Sequence, residues 1–181
     1  MKINRRLKEA IWNKEQYLTF RASISDKPHQ LVYDLMIQCG LRAGEVLALT
    51  WDHVDEIQHV IHVEGSLSSE GTIVPCKTKF SNRVVPLPQS LVTELIDYKK
   101  QLKDPDENSR IFLIQRNQLT HDFERSQEKS DSELPKTTLE SLRKSFAAIS
   151  QKEYINPVEL TKQLGHDTIA IEHSALPFRV K

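Results

Sequence analysis

Cysteine is scarce in this chain of 181 residues, which holds only Cys39 and Cys76. Two thiols cannot build a disulfide framework or a four-cysteine zinc site. Both are read as buried, reduced side chains of a cytoplasmic protein. Glycine, at 5 residues, and proline, at 8, are too few for a collagen-like or linker chain. A net charge is missing altogether, with 25 Lys and Arg against 25 Asp and Glu, and hydrophobic residues make up 38%. That balance excludes a disordered tail protein, which combines few apolar residues with a large net charge. No apolar run comes near the roughly 20 residues of a membrane helix. No basic-then-apolar stretch opens the chain, so neither membrane insertion nor export is expected. What remains is one domain of ordinary size with room for a proper core.

Zero net charge does not exclude a nucleic-acid partner, because the placement of charge decides. Residues 71–93 carry Lys77, Lys79 and Arg83 and no acid. Residues 136–152 carry Lys136, Arg143, Lys144 and Lys152 against Glu140 alone. Acids gather at residues 104–133, with eight Asp or Glu against four Arg or Lys. One basic face and one acidic back would produce this segregation, and so would ordinary solvated surfaces.

Apolar spacing predicts helices over residues 6–22, 28–39 and 43–51, with Gly40 in the place of a C-terminal cap. Three β-branched runs follow at 58–65, 72–76 and 82–87, read as short antiparallel strands with Pro75 and Pro86 at strand ends. Helical spacing returns at 89–102 and 118–126, and the polar residues 127–136 read as a mobile loop. Thr137 with Glu140 three residues on is a capping-box pattern, opening a helix to about Gln151. Asn156-Pro157 opens a last helix, closed by Gly165. The expected class is α+β, mainly helical, with a small three-stranded antiparallel sheet.

Three segments carry the chemistry. They are Gly40-Leu41-Arg42-Ala43-Gly44-Glu45, Leu142-Arg143-Lys144-Ser145-Phe146, and Leu164-Gly165-His166. Between the first two lie Lys77-Thr78-Lys79 and Arg83-Val84-Val85-Pro86-Leu87. In this order and spacing they resemble the catalytic domain of the tyrosine recombinases, the phage-integrase family. The resemblance runs from about Trp12 to Ile169. It implies a tyrosine-recombinase type of catalytic domain that breaks and rejoins DNA through a phosphotyrosine intermediate. Double-stranded DNA is then the partner, with a homotetramer working on it, no cofactor, no metal and no small-molecule substrate.

The resemblance assigns roles. Arg42 and Arg143 would bind the attacked phosphate. Its five-coordinate transition state carries extra negative charge on nonbridging oxygens, and planar, always-charged guanidinium groups suit those oxygens. Lys77 would be the general acid for the leaving 5′-oxygen, with Lys79 the runner-up. Its pKa would be lowered by the nearby arginines. His166 would be a second acid–base group or a hydrogen-bond donor. Lys79, Arg83 and Lys144 would contact DNA, and Glu45 would orient an arginine.

Two departures matter. Glu140 stands three residues before the second arginine, where the family usually has histidine. The family nucleophile is a tyrosine nine or ten residues after the Gly-His pair, and those positions hold Ala175 and Leu176. No tyrosine follows Tyr154. The nucleophile is therefore unknown, and residues 170–181 are an atypical tail. The separate N-terminal DNA-clamping domain of the family is not expected in these 181 residues. A prophage or mobile-element recombinase is the first expectation. A truncated or degenerate relative that binds DNA without cleaving it is the alternative.

Overall fold

The computed structural model describes residues 10–76, 80–103, 105–130, 133–153 and 156–165. Seven helices are formed among them: α1 (Lys14–Ala22), α2 (Lys27–Cys39), α3 (Ala43–Ala48), α4 (Gln89–Gln101), α5 (Arg116–Lys129), α6 (Leu139–Lys152) and α7 (Pro157–Gln163). Five short strands lie between α3 and α4: β1 (Val54–Asp55), β2 (Val60–Val63), β3 (Gly65–Leu67), β4 (Ile73–Pro75) and β5 (Arg83–Pro86). The mainly helical α+β class read from the sequence is the observed one. No described helix is long and apolar enough to cross a membrane.

The strands pair differently from the sequence expectation. β1, β2 and β5 form one antiparallel sheet, with Ile61 opposite Val85 and Val63 opposite Arg83. The run at 58–65 breaks at Glu64, and its continuation, β3, pairs with β4 as a separate hairpin. So the run at 72–76 is a hairpin arm outside the three-stranded sheet. Pro75 and Pro86 each end a strand, where a missing N–H costs no ladder bond.

Helix α1 begins at Lys14, later than the spacing suggests, because Asn13 and Gln16 form a reciprocal capping box there. Residues 10–13 are not helical, and Trp12 is pinned to α6: its amide donates to Ser145 Oγ at 2.9 Å. The Trp12 ring meets Phe20 at 5.0 Å, and Phe123 lies 5.1 Å from Phe20 and 5.2 Å from Tyr33. These aromatics fill the core between α1, α2 and α5. Beside them Asp34 is fully buried, accepting from Tyr17 Oη at 2.8 Å and from Arg21 Nε at 2.8 Å. Burial raises the Asp34 carboxyl pKa, and the Tyr17 and Arg21 bonds pull against that rise. Arg21 also reaches Glu94 at 2.6 Å, which joins α1 and α2 to α4.

Three further expectations need correction. Residues 43–51 are not one helix: α3 stops at Ala48 and a separate 3-10 turn covers Trp51–His53. Residues 127–136 are not simply a polar loop, because α5 continues to Lys129 and the Gln127 side chain is buried. Cys39 is buried as expected, while Cys76 is only partly buried.

Candidate active site

Gly40 closes α2 in the left-handed conformation, at φ 71°. A Cβ there would lie 2.4 Å from the Phe146 ring of α6, so glycine serves both the turn and the close packing of α2 on α6. The chain then turns into α3 with Arg42 as its extended N-cap residue. Arg42 is thus held between two helix ends, and its side chain keeps 44% exposure.

Glu45 sits at the third position of α3 and is 3% exposed. Its carboxylate accepts from the Arg42 backbone amide at 2.8 Å and from Arg42 Nη1 at 2.7 Å. It also receives a two-pronged guanidinium from Arg83, with Nη1 to Oε1 at 3.1 Å and Nη2 to Oε2 at 2.9 Å. Burial pushes the Glu45 pKa up, and the Arg83 and Arg42 bonds outweigh it, holding the carboxyl below its ordinary value.

Arg143 lies in the second turn of α6 and is 9% exposed. It reaches across two helix ends: Nη1 donates to Gly40 O at 2.6 Å, and Nη2 donates to Leu164 O. Burial and the positive charge of Arg42 push its pKa down to about 10. It stays protonated at neutral pH. Two guanidinium groups thus grip one buried carboxylate, and the charge of Arg143 is felt beside them.

Arg42 and Arg143 line one open cleft of about 480 Å³, together with Arg116, Thr138 and Glu140. The two arginines were 101 residues apart in the sequence (143 − 42) and meet here. Glu140 is exposed and does not form the expected capping box. The N-cap of α6 is Thr138, one residue later than expected, accepting from the Ser141 amide. The reason is Gln127. Its side chain accepts from the Thr137 amide at 2.9 Å and donates to Thr137 O at 3.0 Å. That clamp holds Thr137 on the approach to the helix and leaves Thr138 to cap it. Glu140 is then one residue too early to reach the cap amide, and its carboxylate stands in the cleft.

Arg83 also departs from its expected place. Read from the sequence as a DNA contact, its side chain is 6% exposed and its guanidinium is turned inward onto Glu45. Lys144 is exposed on α6. Lys77, Lys79 and His166 lie outside the described residues.

The model of the phage integrase family matches residues 12–173. The chain belongs to the phage integrase family. Its fold agrees with solved integrases. The transposon Tn1549 integrase, solved in complex with a circular intermediate DNA, superposes with a TM-score of 0.78 at 22% identity, covering 94% of this chain and 62% of that one. The catalytic domain of bacteriophage HP1 integrase gives 0.62 at 23% identity, covering 91% of this chain and 84% of that one. A shufflon-specific DNA recombinase of Escherichia coli is 28% identical over 68 residues, which is 38% of this chain and 18% of that protein. This chain therefore spans only part of the larger integrases it resembles.

One integrase-cleft residue escaped the sequence reading. Arg116 is the first residue of α5, whereas the apolar spacing starts that helix at residue 118. Its only signal was a basic residue beside a helix start, which is ordinarily a surface feature.

Proposed function

We propose that this chain is the catalytic region of a site-specific DNA recombinase, a single catalytic domain over residues 1–181 from a prophage or mobile element. Its partner is double-stranded DNA, on which it assembles as a homotetramer in the cytoplasm. One observation carries this reading. Arg42 and Arg143, far apart in sequence, line one cleft, each fixed on a helix end or helix interior. A phosphodiester between them would meet two fixed positive charges beside its nonbridging oxygens. Lys77 would then protonate the leaving 5′-oxygen, and His166 would serve as a second proton or hydrogen-bond donor.

The chain by itself binds DNA and does not cut it. The positions nine and ten residues after His166 hold Ala175 and Leu176, and neither side chain can attack phosphorus. The test combines duplex binding at low salt with a nicked suicide substrate. The expected result is a salt-sensitive complex with no protein–DNA adduct surviving denaturation. No binding at all would sink the recombinase reading. A denaturation-stable adduct would overturn the non-cleaving part and call for mapping the attacking hydroxyl.

Glu140 supplies a separate check. A carboxylate in the same cleft as Arg42 and Arg143 opposes an incoming phosphate at a separation that solvent only partly screens. Glu140→Gln removes that charge and keeps the shape. Duplex affinity is expected to rise about three- to fivefold, equivalent to about 0.6–1 kcal/mol. Fluorescence anisotropy at fixed salt reads this, and an unchanged or weaker affinity would show that Glu140 does not face the bound phosphate.

A further inference from the structure

Arg83 does more than neutralise a buried acid. Its guanidinium offers five N–H donors in a fixed fork. Among the described residues, four are engaged: Nε to Gln163 O at 2.6 Å, Nη1 to Ser81 O at 3.1 Å and to Glu45 Oε1 at 3.1 Å, and Nη2 to Glu45 Oε2 at 2.9 Å. These acceptors belong to three parts of the chain. Ser81 precedes β5, Glu45 lies in α3, and Gln163 ends α7. The same Glu45 carboxylate holds Arg42 Nη1 at 2.7 Å.

The turn after α7 is shaped around this side chain. Gly165 has φ 64°, and a Cβ on it would stand 3.1 Å from Arg83 Nη1 and 3.2 Å from Phe80 O. The left-handed backbone conformation favours glycine at 165, and a Cβ there would press on the arginine beneath it. Arg83 thereby fastens the turn that leads directly into His166.

We propose that Arg83 is a positioning residue, which sets Arg42 through the shared Glu45 carboxylate and anchors the Gly165 turn to β5. The consequence for DNA rests on the recombinase reading, while the clasp itself does not. Lysine cannot replace it, since one ammonium on a flexible stem cannot serve acceptors on three separate segments. A phosphate that drew the Arg83 guanidinium outward would compete with the Glu45 carboxylate that also holds Arg42.

The test is arginine side-chain NMR of the full chain. In the wild type, the Arg83 Nε–H is expected to exchange slowly with solvent. On titration with a short duplex, the Arg42 and Arg143 signals should move and the Arg83 signal should stay. In Arg83→Lys, exchange at Arg42 Nε–H should quicken about tenfold or more, with far-ultraviolet circular dichroism unchanged. Duplex affinity should fall about tenfold, the loss of one well-aligned charged contact. In an Arg42→Ala background the same change should cost little, because the two residues act as a unit. An Arg83 signal that shifts with DNA, an unaltered Arg42 in a folded Arg83→Lys, or full additivity would each overturn the proposal. If the variant does not fold, the wild-type titration decides. A duplex that moves neither Arg42 nor Arg143 would refute the recombinase reading instead, leaving the clasp to be judged by Arg42 exchange in the variant.

Discussion

Glu45→Ala is expected to cost about 3–5 kcal/mol of folding stability, the range for stripping the partner from a buried charge. The side chains of Glu45 and Arg83 are 3% and 6% exposed, so a lone Arg83 would keep its charge without either water or a carboxylate. The Arg42 amide would also lose its acceptor at the start of α3. Urea denaturation followed by circular dichroism measures the effect. A loss under 1 kcal/mol would mean that water reaches Arg83 freely. The double variant Glu45→Met with Arg83→Met should recover much of the loss, because well-packed apolar replacements for a buried ion pair are often neutral.

The same carboxylate sets a pH dependence. Its folded pKa is depressed, so its contribution is fully present above the unfolded value of about 4.3 and disappears as pH falls through the folded pKa. Acid unfolding of the wild type should therefore steepen below about pH 4. Glu45→Ala should lack that part of the slope.

Arg143→Ala is expected to lower duplex affinity roughly 10- to 100-fold, the range for a charge-assisted hydrogen bond of about 1.5–3 kcal/mol. Two causes combine. A cation leaves the cleft, and the carbonyls of Gly40 and Leu164 lose the group that ties α6 to the ends of α2 and α7. The second cause also costs stability of about 1–3 kcal/mol, as for a buried acceptor left without its donor. Binding must therefore be compared well below the variant's Tm. Arg143→Lys should not restore affinity, since an ammonium cannot bond both carbonyls and also present a planar edge to a phosphate.

Much of this architecture follows from short-range signals. Gly40 ends α2 and the Asn156-Pro157 pair opens α7 because both are local backbone devices, independent of distant contacts. The strands were found by composition, but their pairing was not, since Glu64 divides one β-branched run between two sheets. The α6 cap slipped by one residue because either threonine can cap, and Gln127, ten residues away, decides between them. Arg42 and Arg143 could be singled out by motif spacing. The inward turn of Arg83 could not, because its partner Glu45 lies 38 residues earlier and nothing local marks the pair. Arg116 was missed for a similar reason, as only the packing of α5 brings it beside the other arginines.

The most direct measurement is the salt dependence of duplex binding for the wild type and for Arg42→Ala/Arg143→Ala. A large loss of affinity is expected in the double variant. The slope of log affinity against log salt should also become shallower by roughly 0.9 for each phosphate contact removed. Equal affinity and equal slope in a folded double variant would contradict the claim that these two arginines hold a DNA phosphate.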